Sequence, residues 1–351
     1  MDSFTYQEIM SQGEVWAATL NSVKAQFPQI ADFAGRTRPV SRPGPQALFT
    51  GCGSTYYLSL SAAHLWSRLV GMPSRALPAS EIWLFPEYTL PRQPTLLVTV
   101  SRSGETTETV KALDVFLQRL SGEALAVTCY PESTLARQAN RLLVAQAAQE
   151  QSIAQTRSFS SMFLLILAAA CRAGERMDIL DQMSSLPKVF ERLVAAYHPL
   201  AKGLAENPKY ERIIYLGSGV NYGLACEAML KMKEMSLAPA EAFHFMEFRH
   251  GPKSVVTPGT LIVGLVSETA REQEALVLAE MRDLGATTLA IAELGAGISA
   301  DYLVQLRSGL DDLANRILVL PVLQLMAYYR ALSRGLDPDR PTNLDAVVKL
   351  G

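Results

Sequence analysis

One local pattern occurs twice in this 351-residue chain, and its repetition limits the possible folds more than any other feature. Residues 47–68, ALFTGCGSTYYLSLSAAHLWSR, predict a short apolar strand, a Gly-x-Gly turn and a helix. Residues 212–234, RIIYLGSGVNYGLACEAMLKMKE, have the same order and spacing. Strand–turn–helix units that repeat in this way predict parallel strands joined by crossover helices.

Further apolar runs extend both copies of the pattern. Residues 96–100 and 125–128 are predicted strands of the first half, and residues 261–266 and 287–291 are their counterparts in the second half. We therefore predict an α/β chain with two similar doubly wound, flavodoxin-like parallel sheets and flanking helices. Ligands of such sheets bind beyond the carboxyl ends of the strands, where both Gly-x-Gly turns are expected.

The same patterns divide the chain into segments. Residues 1–35 are predicted to form an N-terminal helical segment, and residues 36–180 a first domain that opens with the Pro-rich linker RTRPVSRPGPQ (36–46). After a connecting region, residues 200–335 form a second domain. Residues 336–351 are then a C-terminal tail, expected to close over the ligand site.

Composition excludes several classes of function. The net charge of −2 creates no overall field that would attract nucleic acid or a membrane surface. The longest strongly apolar run, from Met162 to Cys171, has ten residues and is too short to span a bilayer. The N-terminus lacks the basic-then-apolar order of a signal peptide, and the four cysteines are widely separated. We expect a cytoplasmic protein with reduced thiols and no metal.

The Gly-x-Gly turns do not match the common nucleotide-binding motifs. The turn GCGS (51–54) lacks the third glycine of a dinucleotide fingerprint, and it is not a phosphate loop of the Walker type. No cofactor is therefore expected.

A hydroxyl-rich turn follows the predicted strand at residues 96–100. Two serines and two threonines of SRSGETT (101–107) supply hydroxyl groups, and Gly104 allows a close approach of the backbone. The residues alone leave two interpretations open, a helix cap and a phosphate cradle at a helix N-terminus. In the second half, VSETARE (266–272) lacks the glycine and the second serine, so we expect one phosphate pocket, in the first half.

Charged residues are concentrated on the helix that follows the second Gly-x-Gly turn. Glu227, Lys231 and Glu234 are spaced at i, i+4 and i+7 and therefore share one face. This face is either solvated and salt-bridged or, since its flanks are apolar, largely buried. A carboxylate in apolar surroundings can have a raised pKa and act as a base near neutral pH.

Two loop segments contain further candidates. His250, in APAEAFHFMEFRHGPKSV (238–255), precedes a Gly-Pro turn and is either an exposed or capping histidine or a proton shuttle. The stretch EQSIAQTRSFSSM (150–162) is rich in hydroxyls at a helix start and either caps this helix or faces the same pocket as residues 101–106. We expect His64 and His198 to be structural.

Taken together, these motifs resemble the tandem sugar-isomerase (SIS) domain family. The similarity is to the isomerase half of glucosamine-6-phosphate synthase and to the related amino-sugar-phosphate deaminases and isomerases, and it covers nearly all of residues 40–351. The motifs that carry it are GCGST (51–55), SRSGET (101–106), AQTRSF (154–159), GSG (217–219), EAMLKMKE (227–234), AEAF with EFRHGP (240–243, 247–252) and RPTNL (340–344).

The resemblance implies a hexose or hexosamine 6-phosphate as substrate and a role for each matching residue. Glu234 is implied as the base that moves a proton between C1 and C2 of the open-chain sugar. His250 is implied as the histidine that helps to open the ring, reaching in from the partner subunit of a homodimer with shared active sites. The implied substrate-binding or site-organising residues are Cys52, Gly53, Ser54, Thr55, Ser101, Arg102, Ser103, Thr106, Ala154, Gln155, Glu227 and Lys231.

The chain also departs from the synthase pattern. Position 2 is Asp2 instead of the glutaminase cysteine, and no glutaminase domain is expected before the first sugar domain, so glutamine-dependent synthesis is not expected. Ala346 stands where the synthase tail has a lysine implicated in an imine step, and Lys349 is the nearest candidate to replace it.

The function expected from the resemblance is therefore amino-sugar-6-phosphate deamination with ketose–aldose isomerisation. The alternatives are a plain aldose–ketose sugar-phosphate isomerase and a deglycase that acts on glycated-amine sugar phosphates. A sugar-phosphate-binding regulator is less favoured, because the first 35 residues are too short and too weakly basic for a DNA-binding helix-turn-helix.

Overall fold

The computed structural model describes residues 3–30, 44–120 and 122–347. Residues 36–43 of the predicted linker, and Lys349, lie outside this described part. The chain divides into two compact units. The N-terminal unit comprises Glu14–Glu150, Arg157–Ser184 and Asp345–Gly351, and the C-terminal unit comprises Met1–Gly13, Gln151–Thr156 and Ser185–Leu344.

Each unit contains a sheet of five parallel strands within the described residues. The strands of the N-terminal unit are β1 Gln46–Gly51, β2 Ser74–Pro78, β3 Thr95–Val100, β4 Glu123–Thr128 and β5 Arg141–Val144. Those of the C-terminal unit are β6 Arg212–Leu216, β7 Ala240–Phe243, β8 Thr260–Leu265, β9 Thr287–Ala292 and β10 Tyr302–Gln305.

The two sheets have the same topology. The strand order is β2-β1-β3-β4-β5 in the first sheet and β7-β6-β8-β9-β10 in the second. In both sheets the strand order reverses at one point, between β1 and β3 in the first sheet and between β6 and β8 in the second. Ligands of such sheets bind in the crevice at the carboxyl ends of these two strands. The predicted fold class, two doubly wound parallel sheets, is confirmed.

Helices cover the faces of both sheets, so the central strands are buried on both sides. All six residues of β3 and all six of β8 are buried, which explains why their sequences are mainly apolar. None of the described helices is long and apolar enough to cross a membrane. The helices are α1 Phe4–Met10, α2 Gln12–Gln26, α3 Ser54–Val70, α4 Ala79–Leu84, α5 Pro86–Thr89, α6 Thr107–Arg119, α7 Thr134–Gln138, α8 Arg157–Ala173, α9 Met177–Gln182, α10 Leu186–Glu206, α11 Val220–Ser236, α12 Phe245–Phe248, α13 Arg271–Asp283 and α14 Leu320–Ser333.

Large apolar side chains fill the space between the sheets and helices. Phe116 of α6 belongs to the core of the N-terminal unit, and Phe245 and Leu278 belong to that of the C-terminal unit. Full burial of one such side chain contributes about 1.5–3 kcal/mol to folding. These cores hold the strand ends in register and so position the loops that follow them.

Candidate active site

The first two predicted substrate-binding loops lie at the same edge of the first sheet. They follow β1 and β3, which are adjacent and parallel with Thr50 opposite Thr99. The loops touch, because Cys52 Sγ lies 3.5 Å from Thr109 Oγ1 in the first turns of α6. The structure therefore brings together the GCGST and SRSGET motifs in the N-terminal unit.

The turn at residues 51–55 is held by its own threonine. Thr55 Oγ1 accepts a hydrogen bond from the Cys52 N–H at 3.0 Å and donates to the Cys52 carbonyl at 2.9 Å. Gly53 has φ 55° and ψ −125°, a conformation that only glycine adopts without strain. Burial raises the pKa of the Cys52 thiol. Thr55 thus shapes the turn, and the protonated Cys52 thiol faces α6.

The serine hydroxyls of the loop at residues 101–106 accept hydrogen bonds from its backbone. Ser101 Oγ accepts from the Gly104 N–H, and Ser103 Oγ accepts from the Glu105 N–H, each at 3.1 Å. A hydroxyl that accepts an amide proton can still donate its own proton to an anion. Thr106 is the N-cap residue of α6, but its side chain makes no capping hydrogen bond. The Thr106 hydroxyl instead lies 3.4 Å from Ser101 Oγ, so the capping interpretation does not account for Thr106, and the phosphate cradle stays a prediction.

Neighbouring residues fasten this loop in place. Gly104 has φ 66°, and a Cβ atom added there would lie 2.1 Å from Ser133 Oγ. The Glu105 carboxylate accepts from the Thr134 N–H at 2.7 Å and from Thr134 Oγ1 at 2.8 Å, at the start of α7. A loop fixed in this way needs little reordering when it binds an anion.

Arg102 lies in the middle of the loop, and its side chain is almost fully buried. Its Nη1 is 3.4 Å from Glu150 Oε2, and its Nη2 donates to the Ala346 carbonyl at 3.1 Å. The Arg102 carbonyl accepts from Thr128 Oγ1 and from the Cys129 N–H, both at 3.0 Å. Arg102 is therefore held by protein groups at both its backbone and its guanidinium.

The remaining predicted residues of the first half divide between the units. Ala154 and Gln155 belong to the C-terminal unit, whereas Glu150 and Arg157 belong to the N-terminal unit. The Ala154 carbonyl accepts from Ser152 Oγ at 3.1 Å. The Oε1 atom of Gln155 is buried without a hydrogen-bond partner in the described part of the chain.

The charged residues of α11 form a cluster that is mostly buried. The side chains of Glu227 and Lys231 are 0% and 1% exposed, whereas that of Glu234 is 19% exposed. Lys231 Nζ lies 3.4 Å from Glu227 Oε1 and also bonds Glu234 Oε2. The structure thus favours the buried alternative for this face. A buried ion pair such as Lys231–Glu227 contributes little net stability. Glu234 is the only one of these three side chains that is partly exposed, so it is the one that a ligand could reach.

His250 is exposed on an anchored loop of the C-terminal unit. Its N–H bonds the Glu247 carbonyl at 3.0 Å, within the turn after α12. On either side of it, Arg249 Nε and Lys253 Nζ bind Glu280 of α13 at 2.7 and 2.6 Å. The loop is therefore fixed to α13, while the imidazole of His250 stays on the surface.

The second Gly-x-Gly turn borders a cavity of about 230 Å³ at the carboxyl ends of β6 and β8. Arg316 is buried there, and its Nη2 binds Asp312 Oδ1 at 2.5 Å. Beside it, the buried carboxylate of Glu274 accepts from the Ser267 N–H at 2.6 Å and from Ser267 Oγ at 3.0 Å. Burial raises the pKa of Glu274 and of Asp312. Sequence reasoning did not predict this group of charges.

Other polar features lie outside these loops. His244, which the sequence does not single out by itself, stacks on Tyr222 with ring centroids 3.7 Å apart. His198 Nε2 lies 2.6 Å from the Tyr329 hydroxyl, a contact that fits a structural histidine. Within the described residues, no group of three or more His, Cys, Asp or Glu side chains is arranged to hold a metal ion.

Comparison with known families agrees with this architecture. The SIS domain model matches residues 42–172 and 208–334, one segment for each sheet. The chain therefore belongs to the SIS domain family.

Individual relatives differ in length and in activity. A glutamine–fructose-6-phosphate aminotransferase (isomerizing) from Legionella pneumophila is 28% identical over 97% of this chain, which spans 57% of that relative's length. A glucosamine-6-phosphate deaminase structure from Thermotoga maritima is 29% identical with a TM-score of 0.81, and the match covers 99% of this chain and 100% of that one. A tagatose-6-phosphate ketose/aldose isomerase structure from Escherichia coli is 25% identical with a TM-score of 0.82, covering 96% and 94%.

Proposed function

We propose that this protein is an enzyme that converts an amino-sugar 6-phosphate into a ketose 6-phosphate with release of ammonia. The observation that carries the proposal is the Glu234 carboxylate, which stays partly accessible while its charged neighbours Glu227 and Lys231 are buried. The choice of a deamination is supported by the likeness to the Thermotoga maritima deaminase, which extends over the whole of that chain.

The proposed reaction needs one carbon-bound proton to move. Glu234 takes the proton from C2 of the open-chain amino aldose and returns it to C1, while a second proton passes from the amine nitrogen to O1, so that the aldehyde becomes an alcohol and the C2 amine becomes an imine. Water then adds to C2, the carbon–nitrogen bond breaks, and ammonia leaves with a ketose as the second product. The ammonium of Lys231 bonds the Glu234 carboxylate and orients it for the first step.

The phosphate of the substrate is proposed to bind at the edge of the first sheet. Its oxygens would accept from the hydroxyls of Ser101, Ser103 and Thr106 and from backbone amides at the start of α6. The turn at residues 51–55 forms the other wall of this site, through the contact between Cys52 and α6.

The likeness to the Escherichia coli isomerase favours a second candidate, a plain aldose–ketose isomerase. It would use the same proton transfer between C2 and C1, but its substrate has a hydroxyl at C2, so no imine forms and no ammonia leaves. The phosphate loop and Glu234 would have the same roles in both reactions. The two candidates therefore differ in their products and not in the residues used.

Product analysis separates these candidates. Purified protein is mixed with glucosamine 6-phosphate or galactosamine 6-phosphate, and ammonia and ketose are measured. We expect both products, and a fall in kcat of about 10²–10⁴-fold for Glu234→Gln. Glu272→Gln, an exposed acid of α13, is the control and should keep its activity. If the protein instead makes a ketose from an aldose phosphate that has a hydroxyl at C2, and releases no ammonia, the second candidate is correct. Binding without turnover would contradict both.

We also propose that the active form is a homodimer in which His250 acts on the partner's substrate. The exposed imidazole on a loop fixed by Glu280 supports this role. Glu234→Gln and His250→Ala proteins, each inactive alone, should regain about one quarter of the wild-type activity after subunit exchange, because mixed dimers contain one intact site. If mixing restores nothing although mixed dimers form, His250 does not act across the interface.

A further inference from the structure

The guanidinium of Arg102 bonds protein groups, although Arg102 lies between the hydroxyls proposed to bind phosphate. It is 7% exposed, with Nη1 at 3.4 Å from Glu150 and Nη2 at 3.1 Å from the Ala346 carbonyl. We propose that Arg102 is a positioning residue that holds residues 345–347 of the C-terminal tail against the loop at 101–106, and that it is not a ligand of the phosphate. This inference rests on the proposed function for the identity of the loop.

Glu150 explains why Arg102 stays in place. Its side chain is fully buried, and it also accepts hydrogen bonds from the Ser158 N–H at 3.1 Å and from Ser158 Oγ, at the start of α8. These bonds fix the carboxylate on the protein side of the loop. If Arg102 turned towards a ligand, a buried carboxylate would lose its charge partner, which is strongly unfavourable.

The backbone of Arg102 is equally fixed. Its carbonyl accepts from Thr128 Oγ1 and from the Cys129 N–H at the end of β4. The neighbouring serines keep their hydroxyls in the loop, where Ser101 and Ser103 accept the amide protons of Gly104 and Glu105. Adjacent residues of the loop therefore have different roles in this proposal. The serines bind the anion, and the arginine holds the tail.

The bond to the tail is made to a main-chain atom. Because Arg102 donates to the Ala346 carbonyl, the contact does not depend on the side chain at position 346. A charged donor makes a stronger hydrogen bond to a carbonyl than a neutral one does. We infer that the loop and the tail are ordered together, so that loss of the guanidinium frees the tail without removing the hydroxyl cradle.

Hydrogen exchange of the tail tests this inference without requiring turnover. In Arg102→Gln, the amides of residues 345–347 should exchange about tenfold faster than in the wild-type protein. Arg75→Gln is the matched control, because Arg75 Nη2 donates to the Thr89 carbonyl at 2.6 Å elsewhere in the same unit. This variant should leave exchange of the tail unchanged. Arg102→Lys should keep a positive charge near Glu150 but still release the tail. This variant provides the same test if Arg102→Gln does not fold.

Phosphate affinity is the second measurement, with inorganic phosphate as the probe in calorimetry. We expect Arg102→Gln to change the Kd less than about threefold, and Ser103→Ala to weaken binding about tenfold. A tenfold loss in Arg102→Gln, or unchanged exchange of residues 345–347 in both Arg102 variants, would overturn the proposal. Since neither measurement uses a sugar substrate, these results are independent of whether the protein deaminates amino sugars.

Discussion

The loops after β3 and β8 have the same place in their sheets but differ in whether a carboxylate of the following helix binds their serine. The turns beside them are nearly superposable in conformation, with φ/ψ of 55°/−125° at Gly53 and 56°/−127° at Gly219. After β3, the hydroxyls of Ser101 and Ser103 accept loop amides, and Ser101 Oγ also lies 3.4 Å from Thr106 Oγ1. After β8, the Glu274 carboxylate already binds the amide and the hydroxyl of Ser267.

Besides the glycine and serine that the second loop lacks, the two loops differ at one position in the helix that follows. Thr109 and Glu274 lie equally far beyond the ends of β3 and β8, and both face the neighbouring turn. In the C-terminal unit this acid supplies the negative charge itself, and Arg316, the one arginine among the described residues that line the cavity, is paired with Asp312. The second loop is therefore already bound by a carboxylate of its own helix, whereas we propose that the first loop binds phosphate.

The largest expected effect is on stability, where alanine variants of Gly104 and Gly219, one from each repeat, should differ. Gly104→Ala should lower the free energy of unfolding by about 3 kcal/mol or more, since φ is positive and the new Cβ would clash with Ser133. Gly219→Ala has a positive φ but open space around it, so about 1–2 kcal/mol is expected. Urea unfolding of both variants measures the difference. Equal losses would mean that contact with α7 does not constrain the first loop.

Transfer of the acid between the repeats should have the next largest effect. Thr109→Glu puts a carboxylate beside the proposed phosphate, and a like charge at about 6 Å costs roughly 3 kcal/mol at an effective dielectric constant of 20. Relative to Thr109→Gln, which adds similar bulk to this buried position, phosphate should bind about 100-fold more weakly in calorimetry. Equal affinities in these two variants would show that the anion binds elsewhere.

A smaller effect is expected when single serines are removed. Ser103→Ala should weaken phosphate binding about tenfold, because one charge-assisted hydrogen bond is lost. Ser267→Ala removes a serine of the second loop and should leave phosphate affinity unchanged, since its amide and hydroxyl are bound to Glu274. If Ser267→Ala weakens phosphate binding more than Ser103→Ala does, the phosphate does not bind at the first loop.

The smallest expected effect concerns pH. Burial raises the pKa of Glu274 above its ordinary value of 4.5, so the folded state holds this proton more tightly than the unfolded state does. The resulting stabilisation is complete below pH 4.5 and is lost as the pH rises through the raised pKa. Glu274→Gln should remove this loss from the unfolding free energy measured against pH, whereas Glu272→Gln should retain it. Identical profiles for wild type and Glu274→Gln would contradict this assignment.

The sequence predicts the central strands better than the edges of the sheets. Strands β3 and β8 are buried on both faces and have mainly apolar sequences, which identify them directly. The edge strands β5, β7 and β10 have four residues each and are only partly buried, so no clear pattern marks them. Helix α10 falls in the predicted connecting region and contains Pro199, a residue that normally argues against a helix interior.

The candidate site shows the same limit. The shared face of Glu227, Lys231 and Glu234 follows from helical spacing, but their burial depends on tertiary packing that spacing does not contain. The contacts of Arg102 join residues that are 48 and 244 positions apart in the chain. No local motif reports such pairs, and they become visible only when the sheet brings its loops together.

The most direct test is a crystal structure of the Glu234→Gln protein with bound glucosamine 6-phosphate. The account predicts phosphate oxygens within about 3 Å of the hydroxyls of Ser101, Ser103 and Thr106, with the Glu274 carboxylate still on Ser267. A phosphate lodged beside Ser218 and Arg316, with the loop at 101–106 empty, would contradict it.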